Sequence, residues 1–194
     1  MSINTNEQKL SLTVIVGSVR ENRLGEAVTR WAAERAEEHG DFEVVVLDPA
    51  EHDLPLSLTG ADDVKEHVAG VLDASAAFLF VTPEYNHSFP AALKNLIDWY
   101  GPEWYGKPAG IVSYGGISGG LRATEHLRAV LAELHVVTVR DTVSFHNAWG
   151  HWGQDGVWPK DSEQPDTALK KLLGQLSWWS RALVAAKAVE PYPG

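Results

Sequence analysis

Five short runs of apolar, largely β-branched residues punctuate this chain: Leu12–Val16, Phe42–Leu47, Ala77–Val81, Ala109–Tyr114 and His135–Val139. Each is nearly continuous rather than alternating, the pattern of strands buried on both faces. Helical periodicity fills the gaps, over residues 23–39, 61–74, 89–100 and 118–133. A last amphipathic stretch runs from about 165 to 188, with Leu169, Leu172, Leu173, Leu176, Trp179, Leu183 and Val184 on one stripe. Strands alternating with helices leave few topologies. Parallel neighbours need right-handed crossovers, and the crossover helices must cover both faces of one sheet. The expectation is an α/β, doubly wound, five-stranded parallel sheet with helices on both faces, in one domain over residues 1–194.

Ligands of such sheets bind where the strand-to-helix loops converge. The first of these loops is Gly17-Ser18-Val19-Arg20-Glu21-Asn22-Arg23-Leu24-Gly25. It delivers the chain into a helix start, whose unpaired N–H groups and partial positive charge suit an anion. Ser18 and Asn22 add short donors, and Arg20 and Arg23 add guanidinium groups able to fork onto phosphate oxygens. A plain surface turn with two solvated arginines is the alternative. The loop lacks the Gly-x-Gly-x-x-Gly spacing of dinucleotide-binding units, and no Gly-x4-Gly-Lys-Ser/Thr occurs in the chain. Two further loops follow strands in the same way: Pro83-Glu84-Tyr85-Asn86, leading into Ala-Leu-Lys-Asn-Leu-Ile-Asp-Trp, and Ser113-Tyr114-Gly115-Gly116.

These three segments together resemble the NAD(P)H-dependent FMN reductases, the flavodoxin-like group that includes quinone, azo and chromate reductases. The likeness spans residues 12–131, and Pro83-Glu84-Tyr85-Asn86 is its most specific piece. It implies the strand order 2-1-3-4-5, bound FMN, and NADPH or NADH as the reductant. It also implies a small-molecule electron acceptor and a homodimer, with further pairing to a tetramer as the alternative. The cofactor-binding residues would then be Ser18, Arg20, Asn22, Arg23 and Leu24 around the phosphate. Pro83, Glu84, Tyr85, Asn86, Ser113, Gly115 and Gly116 would border the isoalloxazine ring. Backbone groups of the proline-containing loop suit the ring's polar edge, and paired glycines allow close approach to its face. A helix starting near Ser118 would aim its positive end at the pyrimidine side.

No Ser-His-Asp or paired-carboxylate arrangement accompanies these loops, as expected where a cofactor carries the chemistry. Glu84 reads as a helix-terminal charge or a backbone contact rather than a catalytic acid. An electron carrier resembling flavodoxin, or a flavin-binding sensor without turnover, is the alternative function. The arginines in the phosphate loop favour the enzyme.

Composition excludes other classes. The 194 residues contain no cysteine, which removes disulfides, thiolate nucleophiles and cysteine metal sites. A net charge of −10 argues against nucleic acid and anionic membranes. The N-terminal segment Met1–Lys9 is polar and no run reaches membrane-spanning length, so a cytoplasmic location is expected. Residues 140–164 hold Phe145, His146, Trp149, His151, Trp152 and Trp158, either an aromatic loop packed on the body or on a second subunit, or a lid or wall of the substrate pocket. His146 and His151 lack a carboxylate at short fixed spacing, so no metal site is expected. The cluster Trp99–Tyr105 reads as exposed, suited to a subunit contact or to ring stacking. Lys94 and Asn95 read as structural, and Arg122 or Arg128 would be the cations available to a 2′-phosphate.

Overall fold

A computed structural model describes residues 9–194. Met1–Gln8, most of the segment on which the cytoplasmic expectation rests, lie outside the described residues. The sheet is built from β1 (Leu10–Val16), β2 (Phe42–Leu47), β3 (Ala77–Pro83), β4 (Pro108–Tyr114), β5 (Val137–Thr138) and β6 (Val143–Phe145). All pairings are parallel, and the order is β2-β1-β3-β4-β5, with β6 also on β4. The expected order and doubly wound topology are therefore present. The helices are α1 (Gly25–His39), α2 (Asp62–Ala74), α3 (Ala91–Asp98), α4 (Leu121–Glu133) and α5 (Glu163–Val189). One core unites α1 and α5 around Val28, Trp31, Leu172 and Leu176. The other unites α2, α3 and α4 around Phe78, Phe80, Leu96 and Leu131. Among the described residues, no helix is long and apolar enough to cross a membrane.

β1, β3 and β4 are the continuous, doubly buried strands their sequences announce. β2 is not: as the sheet edge it leaves Val45 and Val46 exposed, apolar though its sequence is. The expected fifth strand is split. Only Val137–Thr138 pair in its stretch, and the ladder resumes at Val143–Phe145 beside the upper half of β4. Arg128 explains the gap, because its guanidinium donates to the carbonyls of Val139 (2.9 Å) and Arg140 (3.0 Å) and draws the chain off the sheet.

Aromatic residues supply the largest corrections. Trp99, Tyr100 and Trp104 are buried rather than exposed. The Trp104 ring packs 4.8 Å from that of Phe78, and the Trp99 indole donates to the Pro55 carbonyl at 3.0 Å. They plug the floor under α3 and present no surface for stacking or subunit contact. The 140–164 segment divides: Phe145 and Trp158 join Trp31 in the core, while Trp149 and Trp152 remain exposed. In α5 the apolar stripe holds through Leu176, then leaves the core, so that Trp179 and Val184 face solvent.

Candidate active site

The three loops meet at the carboxyl ends of β1, β3 and β4. The Gly17 amide donates to the Val81 carbonyl at 2.8 Å, and a Cβ on Gly17 would fall 2.8 Å from that same oxygen. Glycine is thus required for β1 to leave the sheet alongside β3. Gly25 has the same reason at the start of α1, since a Cβ there would lie 2.6 Å from the Tyr114 phenol oxygen. Burial pushes that phenol's pKa up, so Tyr114 stays neutral and serves as packing.

The phosphate-loop arginines have different fates. Arg23 forks onto the Asp48 carboxylate just past β2, donates to the Ser18 carbonyl and bonds Glu26 at 3.2 Å. Its side chain is only 10% exposed. Arg23 therefore shapes the loop and carries no spare charge, contrary to its expected direct contact with an anion. Arg20 is exposed, has no carboxylate partner among the described residues, and lies 5.6 Å from the Tyr85 ring centroid. Asn22 is exposed in the left-handed region (φ 50°), where asparagine is tolerated. Leu24 is buried under the loop. Sequence reasoning missed Asp48; its position at the end of the strand beside the arginine loop was the available signal.

Ser18 is buried, and its hydroxyl shares a 2.8 Å hydrogen bond with the Tyr85 phenol, which ties the first loop to the second. Tyr85 and Ser88 close a tight turn, exchanging backbone bonds of 2.8 and 3.1 Å around Asn86 (φ 49°) and His87 (φ 73°). Two consecutive left-handed residues define a primed turn. The amides of Asn86 and His87 have no partner among the described residues. Pro83 is buried as the last residue of β3.

Glu84 is committed elsewhere. Its amide donates to the Tyr114 carbonyl, and its carboxylate receives the Arg122 amide at 3.2 Å and the Arg122 guanidinium at 2.5 Å. It caps α4 from outside, which is the helix-terminal role its sequence position suggests. Burial pushes its pKa up, but hydrogen bonds from Ser118 and Arg122 outweigh that and hold the carboxyl below its usual range. Arg122 also meets His87 at 2.7 Å. Arg128 is occupied at the break between β5 and β6, so it is not a cation free for a 2′-phosphate.

The third loop is held mainly through its backbone. The Gly115 amide donates to Phe145, and the amides of Asn147 and Ala148 donate to the Gly116 and Gly115 carbonyls, all within 2.8–3.1 Å. The Ser113 hydroxyl is buried and donates to the Gly119 carbonyl at 2.9 Å, so it supports the loop and does not line the crevice. A Cβ on Gly116 would meet open space. The helix here begins at Leu121 rather than near Ser118, because Gly119 and Gly120 both adopt positive φ (62° and 88°). Ile117, Leu121, Trp149 and Trp152 are all exposed. Among the described residues no three histidine or acidic side chains cluster as metal ligands, and His151 bonds the His146 carbonyl rather than its ring.

A parallel sheet with one free guanidinium at its first loop and an open glycine face at its fourth strand defines the class: a doubly wound protein of the flavodoxin type. Residues 10–150 match the family described as NADPH-dependent FMN reductase, and the chain belongs to that family of oxidoreductases. A quinone reductase of Escherichia coli (strain K12) is 32% identical over 182 residues, covering 88% of this chain and 93% of its own. An NAD(P)H-dependent FMN reductase of Schizosaccharomyces pombe is 37% identical over 119 residues, 56% of this chain and 60% of the relative's length. Among solved structures, the flavoenzyme NAD(P)H:(acceptor) oxidoreductase FerB of Paracoccus denitrificans superposes with a TM-score of 0.69 at 25% identity. That match covers 89% of this chain and 98% of FerB.

Proposed function

We propose that the chain is a single FMN-binding domain that takes electrons from NADPH or NADH and delivers them to quinones, azo compounds or free flavin. The observation that carries this reading is the exposed, unneutralised guanidinium of Arg20 at the first loop, beside the unpartnered amides of Asn86 and His87 and the open face of Gly116. These features fit FMN part by part. Arg20 and the amino end of α1 meet a phosphate dianion. The turn amides meet the ring's polar edge, and Gly116 leaves room for the ring itself.

When bound, FMN supplies the capacity to accept a hydride from nicotinamide and return it to an acceptor. The protein positions and insulates. Arg23, held on Asp48, keeps the phosphate loop in shape, and the Ser18–Tyr85 bond couples that loop to the ring loop. Glu84, kept ionised by Ser118 and Arg122, holds no proton to donate, so it does not serve as a general acid. The exposed apolar rim of Ile117, Leu121, Trp149 and Trp152 suits a flat apolar acceptor, and in a homodimer it would be shared with a second copy.

Nicotinamide and acceptor would use one open face in turn. Initial rates at several quinone concentrations should therefore give parallel double-reciprocal lines. Intersecting lines would require a separate acceptor site, and bound FMN without NAD(P)H oxidation would make the chain a carrier or sensor.

A further inference from the structure

A cavity of about 1160 Å³ opens beside the third loop, on the β6 side of β4 and away from the arginine loop. Strand β6 and the turns that follow it form one wall, and residues 160–165, leading into α5, form the other. Hydrogen bonds in series tie it to the crevice. The Asn147 amide donates to the Gly116 carbonyl at 2.8 Å, and the His146 Nδ1 donates to the Ile117 carbonyl at 2.9 Å. His151 Nε2 donates to the His146 carbonyl at 2.9 Å, and the Lys160 amide to the His151 carbonyl at 2.8 Å. Lys160 is thus linked to the ring loop through only two short segments. The space matches or exceeds that of a typical ligand pocket, roughly 300–1,000 Å³. Its charges are uncommitted: among the described residues Lys160 has no carboxylate partner, and Asp161 and Glu163 have no cationic one.

We propose that this cavity holds the adenosine half of the nicotinamide nucleotide, and that its charges select NADH over NADPH. The inference rests on the reading of the crevice as the flavin and nicotinamide site. A dinucleotide whose nicotinamide lies over the glycine face must lodge its other half within reach of that face, and the ring loop itself borders this cavity. Lys160 supplies an ammonium for the phosphates that join the two halves. Ribose hydroxyls donate, and the carboxylates of Asp161 and Glu163 are placed on the lining to accept. In NADPH a phosphate replaces one of those hydroxyls. It brings acceptor oxygens and negative charge where the lining already holds two carboxylates against one ammonium. No other cation of the crevice is spare for it, because Arg122 is committed to Glu84 and Arg128 to the carbonyls of Val139 and Arg140. Selection is therefore by repulsion of the wrong nucleotide as much as by attraction of the right one.

Isothermal titration of the flavin-loaded full chain with 5′-AMP and with adenosine 2′,5′-bisphosphate reads the site without turnover. 5′-AMP should bind, and the bisphosphate about tenfold more weakly. Lys160→Ala should weaken 5′-AMP about tenfold, the loss of one charge-assisted contact. The double variant Asp161→Asn/Glu163→Gln should close most of the gap between the two ligands. In single-turnover reduction of the bound flavin, NADH should reach half-saturation at about one tenth of the NADPH concentration, with a similar limiting rate. The double variant should shrink that difference as well. The proposal is overturned if 5′-AMP does not bind, if the bisphosphate binds as well as 5′-AMP, if Lys160→Ala leaves 5′-AMP affinity unchanged, or if NADPH is as effective as NADH. It is also overturned if Lys160→Ala changes only the quinone concentration needed for reoxidation, which would give the cavity to the acceptor. 5′-AMP binding that follows these residues, with no bleaching of the flavin by either nucleotide, keeps the adenosine site and removes the electron-donor reading instead.

Discussion

The loop after β1 and the loop after β4 flank one crevice but are built by different means. The first is held by side chains: Arg23 on Asp48 and the Ser18 carbonyl, and Ser18 on Tyr85. The second is held mainly by main chain, through the Gly115, Asn147 and Ala148 amides, with Gly119 and Gly120 in the left-handed region. On the proposed function, the difference follows from what each loop would meet. A phosphate is recognised by charge, which side chains carry and can re-aim. A flat ring is recognised by shape, which requires backbone at close quarters and nothing projecting from it.

The sharpest test of that contrast lies in the glycines of the second loop. A Cβ on Gly119 would fall 2.4 Å from the Ser144 hydroxyl at φ 62°, so Gly119→Val should cost about 3 kcal/mol or more of stability. Gly116→Val should leave the melting temperature within a degree or two, because its Cβ enters open space, yet abolish flavin binding. Calorimetry and the visible spectrum of the purified variants decide both. A Gly116→Val protein that stays fully yellow would remove the ring from this loop.

Next in size is the separation of the two arginines. Arg23→Ala strands a mostly buried Asp48 and should cost about 2–3 kcal/mol, partly recovered in the Arg23→Ala/Asp48→Ala double variant. Arg20→Ala should leave stability unchanged and weaken FMN at least tenfold while riboflavin is unaffected, since one charge-assisted hydrogen bond contributes about 1.5–3 kcal/mol. Isothermal titration of both flavins against both variants reads the difference. Equal losses for FMN and riboflavin in Arg20→Ala would mean that the free guanidinium does not serve the phosphate.

The smallest effect concerns acid. The pKa of Glu84 is lower in the folded chain than in the unfolded one, so its stabilisation is complete above the ordinary carboxylate range. It is lost as pH falls below that range and through the lower folded value. Glu84→Gln should therefore be less stable than wild type at neutral pH and converge with it in acid. Melting curves of the two proteins between pH 7 and the acid limit check this, and a gap that persists into acid would break the assignment.

Much of the crevice is legible in the sequence. Strand runs ending in Gly17, Pro83 and Gly115 place three loops at one end of the sheet, whatever the packing. Which groups in those loops are free is not legible. Arg20 and Arg23 are three residues apart with the same chemistry, yet one is exposed and the other is taken by an aspartate 25 positions away. The Trp99–Tyr105 cluster misleads for a similar reason. At the end of a crevice helix it reads as exposed, while Trp104 packs against Phe78 and Phe80 of a distant strand.

The sequence by itself determined the alternation of elements, the parallel sheet and the position of its loops, because these depend on periodicity and turn residues within a few positions of one another. Only the tertiary structure decided that Arg23 supports while Arg20 stays open and that Glu84 takes Arg122 of α4 as its partner. The same holds for the break in the fifth strand at Arg128 and for the side of α5 left to solvent. Each of those outcomes turns on a partner brought close by the fold, and local pattern holds no record of which partner arrives first at a given charge or ring.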